Sequence, residues 1–392
     1  MNATRPHRVV VVGGGILGAS VAAHLTRRGM AVTLVTSGDL ADGASGRSLS
    51  WLNSSGERSE AYHRLRLLGI DRYRTWAARH PDSADHLRFD GAIKWARPGS
   101  SLQPTFARER SRGYDAIWVP RTRIAEHAPD VRPGAVAEEG AIVNPGEGWV
   151  DLPPLVADLV AEAVAGGARL VSRTAVRAVA TDAGGVVGVH LADGAAIPAD
   201  RVVLAAGAAT PALLATVGVA LPEATVPSCI VHTAPLAERV RMVMNTPRVA
   251  VRPLPDGGLA LDSGWAARTV RRSEDGTWTV PAETVTGLLD EASRVLARTE
   301  RLRARRVAAG PKPIPADGDP VVGAVPVVPG LSVLFTHSGA TLGLILGELL
   351  AEEIDTGAAS PVLERFRIDR FDGFATAGPA ADDDAWTPVV PA

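Results

Sequence analysis

Gly13, Gly15 and Gly18 stand at the end of a valine run, Val9–Val12, and in front of an alanine-rich amphipathic segment that reaches Arg28. Glycine at all three positions restricts severely what can surround them. The first lets a strand turn sharply, the second admits a phosphate against backbone N–H donors, and the third lets the following helix approach the strand. Gly29 ends the helical stretch and Ala31–Val35 supplies another β-branched run. The segment therefore reads as a strand–turn–helix–strand unit of about 30 residues with a dinucleotide pyrophosphate site at its turn. At the end of the second strand an acidic residue would ordinarily accept from a ribose, but Val35 is followed by Thr36-Ser37-Gly38-Asp39. Either the Thr36 and Ser37 hydroxyls take that role with neutral hydrogen bonds, or Asp39 reaches back to it.

A chain of 392 residues exceeds what one hydrophobic core usually organises, which predicts two domains or a domain with a second lobe. Apolar residues at 46% and charged residues at 21% fit a folded globular protein. The 41 basic and 43 acidic residues leave a formal charge of −2, too little to gather nucleic acid through a global field. One cysteine, Cys229, excludes an intrachain disulfide and a Cys-rich metal site, and no metal is expected. No apolar run reaches the roughly 18 residues of a membrane span, and Met1–Arg8 is too short and polar for a signal peptide, so the cytoplasm is the expected compartment. HExxH, an Asp-rich metal loop and a Gly-x-Ser-x-Gly elbow are all missing, which leaves metallohydrolase and serine-hydrolase chemistry without support. Chemistry that needs a lysine has two candidates, Lys94 and Lys312.

Farther along, Asp39–Asn53 is small and polar with little periodicity, as in a long functional loop. Helical spacing resumes over Glu60–Arg79 and Asp151–Ala165. Arg169–Val171, Val176–Thr181, Val186–Leu191 and Arg201–Leu204 alternate like strands, and the last runs into Ala205-Ala206-Gly207. Val226–Pro235, Arg248–Val251, Gly258–Leu261 and Trp278–Val280 predict a second, antiparallel region with a helix over Ala282–Arg298 beside it. Lys312–Gly323 reads as a Pro/Gly loop, Leu331–Phe335 as a strand and Thr341–Ile354 as a helix. The stretch 372–392, rich in Ala, Pro and Asp, is expected to be disordered.

Taken in order, these segments resemble the FAD-dependent oxidoreductases of the D-amino-acid oxidase, glycine oxidase and sarcosine oxidase superfamily. The resemblance is carried by Val9–Gly18 with its helix, Gly43-Ala44-Ser45, Gly148-Trp149-Val150-Asp151 and Val203–Gly207. It continues in Lys312–Gly323, with its Lys-Pro…Asp-Gly-x-Pro-x-x-Gly pattern, and in His337–Gly343, so that residues 8–355 are covered. What it implies is an α/β fold: a discontinuous Rossmann-like FAD-binding domain from 1–85, 148–220 and 310–360, and an α+β substrate lobe from 86–147 and 221–309 built on an antiparallel sheet. FAD would be held by Gly13, Gly15, Ile16, Leu17 and Gly18, by Thr36 and Ser37, and by Ala44, Ser45, Arg47, Ser48 and Leu49 of the following loop. Val176 would offer its backbone to the adenine, and Ala206, Gly207, Gly339, Ala340 and Thr341 would approach the cofactor closely. Several relatives attach the flavin to a cysteine. Lys312-Pro313-Ile314 has none, and Cys229 falls within the strand-like run Val226–Pro235, so the FAD is expected to be non-covalent.

The implied reaction is oxidation of a C–N bond in a small amine or amino acid, a D-amino acid or an N-substituted glycine, with hydride passing from the α-carbon to flavin N5 and an imine as product. Lys312 and Arg252 are the cations available to anchor a substrate carboxylate, and His337 adjoins the flavin loop as a candidate acid or base. Two departures bear on the activity. Gly343 stands where sarcosine oxidases carry a lysine, and Ala260 where they carry the lysine that promotes reaction with oxygen. Those gaps leave open a catalytically weak, flavin-binding subunit of a multisubunit dehydrogenase. A dehydrogenase that binds NAD with the first unit alone is a further alternative, and a homodimer and a hetero-oligomer are both compatible with the sequence.

Overall fold

The structure is a computed structural model and describes residues 7–298 and 301–374. By packing, the chain falls into two compact units, one from 1–44, 156–226 and 311–392 and the other from 45–155 and 227–310. Residues 45–85 and 148–155, expected in the cofactor domain, pack within the second unit. The expected disorder of 372–392 concerns residues that from 375 onward lie outside those described; Phe374 itself accepts a hydrogen bond from the Ala220 N–H at 2.7 Å.

The first unit is built on six strands, β1 (Arg8–Val12), β2 (Ala31–Val35), β3 (Arg169–Val171), β4 (Arg201–Leu204), β5 (Val321–Ala324) and β6 (Leu331–Phe335). They lie in the order β5-β6-β4-β1-β2-β3, all parallel except β5, which runs antiparallel to β6. Val9–Val12 are buried because β1 is central and covered on both faces, which is why its sequence is a continuous apolar run. Helix α1 (Ile16–Arg27) packs against α2 (Gly339–Thr356). Glycines set that approach: a Cβ on Gly343 would come within 2.4 Å of Ile16 Cγ1, and one on Gly347 within 2.8 Å of the Ser20 carbonyl carbon. Two expectations change here. Val321–Ala324 is a strand rather than part of a loop, its valines buried against β6, and α2 begins at Gly339, two residues before the expected start.

The second unit is organised by an eight-stranded sheet in the order Ala304–Lys312, Val226–Thr233, Leu259–Asp262, Ala250–Pro253, Val243–Asn245, Ala92–Lys94, Ala141–Asn144, Ile117–Val119. Its pairs are antiparallel from Val226–Thr233 to Val243–Asn245; the next pair, Val243–Asn245 with Ala92–Lys94, is parallel. One face carries the apolar core, where Ile93, Val143, Val231, Val251, Leu259 and Leu261 pack with Leu288 and Ala292 of the helix Ala282–Val295. Because side chains alternate along each strand, Lys94, Asn144, His232, Arg252 and Ala260 belong to the other face. The expected loop Asp39–Asn53 contains a single 3₁₀ turn, Ala44–Arg47, and a two-residue strand, Trp51–Leu52, paired with Gly148–Val150.

The helix contact in the first unit makes a direct prediction. Gly347→Ala places a methyl where Ser20 backbone already stands, so urea unfolding should show a loss on the order of 1–3 kcal/mol. An unchanged midpoint would mean that α1 and α2 are not packed this closely.

Candidate functional site

In the first unit the carboxyl ends of β1, β2 and β4 converge on the glycine turn. Gly13 donates to the Val35 carbonyl at 2.8 Å, and Ala205 donates to the Val12 carbonyl at 2.8 Å. Gly13 has φ +123°, and a Cβ there would lie 2.3 Å from the Ala205 carbonyl oxygen; on Gly18 it would lie 1.9 Å from the Gly13 carbonyl oxygen. Gly14 is equally confined, against the Thr36 hydroxyl at 2.7 Å. Gly15 differs: its backbone is extended, at φ −85° and ψ −178°, and it caps α1 with no side-chain bond to the helix. The first turn of α1 holds no acidic residue, and neither does that of α2. Free of a competing carboxylate, the positive end of α1 is suited to an anion. These residues fit the pyrophosphate of a dinucleotide.

The other expected cofactor residues of this unit are placed as follows. Thr36 is buried and Ser37 exposed. Asp39 forms a two-pronged pair with Arg173 at 2.8 and 3.2 Å, which holds its carboxyl below the usual range and occupies both of its oxygens. Val176 opens the half-exposed strand Val176–Asp182, and Ala206 and Gly207 follow directly on β4, with Gly207 at φ +57°. Gly339, Ala340 and Thr341 form the first turn of α2. His337 is half-buried just before that helix, its Nε2 3.4 Å from the Ser338 hydroxyl. Lys312 ends its strand half-buried and enters no ion pair among the described residues. The missing lysine at Gly343 has a packing reason, because Ile16 fills the space a side chain would need.

In the second unit Ser45, Arg47, Ser48 and Leu49 are half-buried. The Arg47 guanidinium lies against Gly310, where a Cβ would come within 2.6 Å of Nη2, and the Ser48 hydroxyl accepts from the Ser50 N–H at 3.0 Å. Ser50 is a non-glycine residue at φ +54°, a costly conformation fixed where the loop turns into the Trp51–Leu52 strand. Leu49 packs on Ile230, Leu254 and Ala260. Arg252, expected as a free cation, is only 1% exposed and already engaged. Its Nη2 donates to Asp151 at 3.3 Å, its Nη1 to the Pro253 carbonyl at 3.2 Å, and its guanidinium stands 5.5 Å from the Trp149 ring centre. Burial explains the change, since a guanidinium taken out of water requires a carboxylate. Cys229 is buried, and its thiol is pushed up to about 12 by that burial.

Sequence reasoning missed a buried polar network beside this face. Lys94 pairs with Glu109 and donates to the Ser55 hydroxyl, while Asn144 donates to Glu109 at 3.1 Å. Glu147, fully buried, accepts from Tyr114 and from Trp51 Nε1, the latter at 2.8 Å, and Tyr114 in turn accepts from the Ser54 N–H at 2.9 Å. Burial pushes the Glu147 carboxyl up to about 8. The available signal was Lys94 itself, a charge beside Ala92 and Ile93 in a strand-like run, but its partners are distant in sequence.

A family model described as FAD dependent oxidoreductase matches residues 8–353. Glycine oxidase of Geobacillus kaustophilus (strain HTA426) is 27% identical over 388 residues, covering 94% of this chain and 98% of that protein. The crystal structure of glycine oxidase from Geobacillus kaustophilus superposes with a TM-score of 0.80 at 25% identity, over 94% of this chain and 100% of that one. Iminodiacetate oxidase from Chelativorans sp. BNC1 shares the fold, with a TM-score of 0.79 at 22% identity over 95% of this chain and 100% of that one.

Glu147 gives a pH signature. Its carboxyl keeps a proton in the folded state up to about pH 8, whereas the unfolded chain releases it near the ordinary value of about 4.3. Stability therefore falls as pH rises through that window, by up to about 1.4 kcal/mol per unit. Glu147→Gln has no proton to lose and keeps acceptor capacity for Trp51. Its stability relative to the parent should rise from pH 5 to pH 8 in urea titrations, and a constant difference would show that Glu147 is ionised in the fold.

Proposed function

The chain belongs to the family of FAD-dependent oxidoreductases, and within it we propose that it oxidises the C–N bond of a small amine or amino acid, with an N-substituted glycine or D-amino acid as the leading substrate class. The observation that carries this reading is the glycine turn with an uncapped α1 behind it, inside a family match that extends through both units. The similarity to glycine oxidase over 94% of the chain supports a substrate nitrogen, and iminodiacetate oxidase extends the same chemistry to a secondary amine on this fold.

Bound non-covalently, the flavin supplies the acceptor at N5 for the hydride that leaves the substrate α-carbon. Gly13, Gly15, Ile16, Leu17 and Gly18 hold the pyrophosphate with backbone donors and the positive end of α1. Thr36 is favoured over Asp39 for the ribose, because Arg173 already occupies the Asp39 carboxylate. At the start of α2, Gly339, Ala340 and Thr341 present N–H groups that stabilise negative charge on an adjacent carbonyl. Lys312 carries the role of carboxylate anchor, since Arg252 is committed to Asp151. The chain has alanine at residue 260, without a basic group there to assist oxygen, so an acceptor other than oxygen is expected to turn over faster.

Anaerobic mixing of the yellow protein with glycine, sarcosine, iminodiacetate, D-alanine and D-proline tests the reading. Bleaching of the flavin by at least one of them, with an aldehyde or oxo acid recovered after hydrolysis, is expected. Bleaching by none would favour the catalytically weak flavin-binding subunit. Lys312→Met should leave the flavin spectrum intact and lower kcat/KM for an active amino acid by two to three orders of magnitude, about 3–4 kcal/mol of lost anchoring. Unchanged kcat/KM would remove Lys312 from the site.

A further inference from the structure

Lys312 is followed by the loop Pro313–Pro320 before β5 begins, and Pro313, Pro315 and Pro320 each carry a fixed φ. Backbone bonds hold the near half of this loop: the Ala224 N–H donates to the Ile314 carbonyl at 2.8 Å and the Ala316 N–H to the Pro222 carbonyl at 3.1 Å. Arg370 holds the far half. Its Nε and Nη2 donate to the two carboxylate oxygens of Asp317 at 2.8 and 3.0 Å, and Nη2 donates also to the Asp319 carbonyl at 2.9 Å. Nη1 donates to the carbonyls of Pro320 at 2.9 Å and Arg367 at 3.1 Å. All five N–H donors of the guanidinium are thereby used, four of them on residues 317–320. A partly exposed ion pair adds little stability by itself, so the bonds to carbonyls, which define a shape, are the telling ones. Arg370 is itself well fixed. Ile368 is buried in the core of the first unit, and Arg367 donates to Glu353 of α2 at 2.8 Å and to the Val322 carbonyl at 3.2 Å. Phe374 accepts from the Ala220 N–H, two residues before Pro222, so the loop, 220–224 and 370–374 close one circuit of hydrogen bonds within the first unit.

We propose that Arg370 is a positioning residue for Lys312: by fixing the far half of the loop it sets the direction in which Lys312 leaves its strand, and so where the ammonium meets a substrate carboxylate. This rests on the reading of Lys312 as the carboxylate anchor given above. A lysine is a point charge on a flexible stem, and its aim comes from its surroundings rather than from its own shape. Lys312 is half-buried and enters no ion pair among the described residues, so no described carboxylate aims it and the backbone must. The prolines narrow the conformations open to that backbone, and Arg370 selects one of them. Lysine in place of Arg370 could not do the same, because three donors on a rotating ammonium cannot hold a carboxylate and three carbonyls at once.

The test is a double-mutant cycle on the FAD-loaded protein, with Arg370→Met made in the parent and in Lys312→Met. Near-UV circular dichroism and the visible flavin spectrum establish that each variant is folded and loaded. With an amino acid that reduces the parent, Arg370→Met should lower kcat/KM roughly tenfold in the parent and by less than about twofold in Lys312→Met, where no anchor is left to aim. Arg370→Lys, which keeps the charge without the fork, should recover little of the loss. Unchanged kcat/KM in Arg370→Met, full recovery in Arg370→Lys, or equal falls in both backgrounds, as a general loss of structure gives, would overturn the proposal. If Lys312→Met itself keeps the parent's kcat/KM, or if no amino acid reduces the parent, the anchor reading fails separately, and the positioning is judged on the lysine itself. Trace acetylation by acetic anhydride, read by peptide mass, then compares Lys312 with Lys94, which is buried in the second unit and serves as the internal reference. Acetylation of Lys312 about threefold faster relative to Lys94 in Arg370→Met supports the assignment, and an equal ratio rejects it. Should Arg370→Met not fold, Asp317→Asn, which removes the charge that the fork holds, takes its place in both measurements with the same outcomes.

Discussion

Three chain segments meet at the turn that follows β1: the first turn of α1 at Gly18, the end of β4 at Ala205 and the β2 exit at Thr36. Each comes so close that a single carbon on the facing glycine would overlap it. Everything else in the first unit follows from that meeting. With the helix pressed against the turn, its N–H groups are aimed outward from Gly15, and with β1, β2 and β4 ending together, their loops lie at one edge of the sheet, where open α/β sheets bind ligands. The second helix contact, Gly343 and Gly347 against Ile16 and Ser20, fixes α2 beside α1 by the same device. Glycine at these positions is thus a packing requirement first.

The second unit depends on a different balance. Its sheet keeps one face dry and apolar and sets two buried charge pairs at the other, Lys94 with Glu109 and Arg252 with Asp151. Such pairs add little net stability, because desolvation offsets most of the attraction, but removing one partner typically costs about 3–5 kcal/mol. A face built this way is rigid in its polar geometry.

What the sequence made legible was local. The valine run, the glycine turn and α1 are specified by residues within one βαβ unit, and periodicity alone places Glu60–Arg79 and Leu331–Phe335 as helix and strand. Val321–Ala324 was hidden by its proline-rich lead-in, because its strand character comes from pairing with Leu331–Phe335 rather than from its own pattern. The fate of Arg252 was not readable either, since Asp151 lies 101 residues away and neither residue signals the other. The same holds for Trp51 and Glu147, separated by 96 residues. Polar side chains on a buried sheet face break the alternation that reveals strands, so the most informative surface of the second unit was the least visible in the sequence.

The central claim is that backbone donors at the glycine turn hold FAD, and Gly15 isolates it. Because Gly15 is extended, with φ −85°, valine can adopt its backbone without strain, unlike at Gly13 with φ +123°. Titration of FAD into apoprotein of Gly15→Val, with circular dichroism as a check on folding, is the direct measurement. The account predicts a folded protein that stays colourless because the side chain fills the space of the pyrophosphate. A folded variant that binds FAD as tightly as the parent would contradict it.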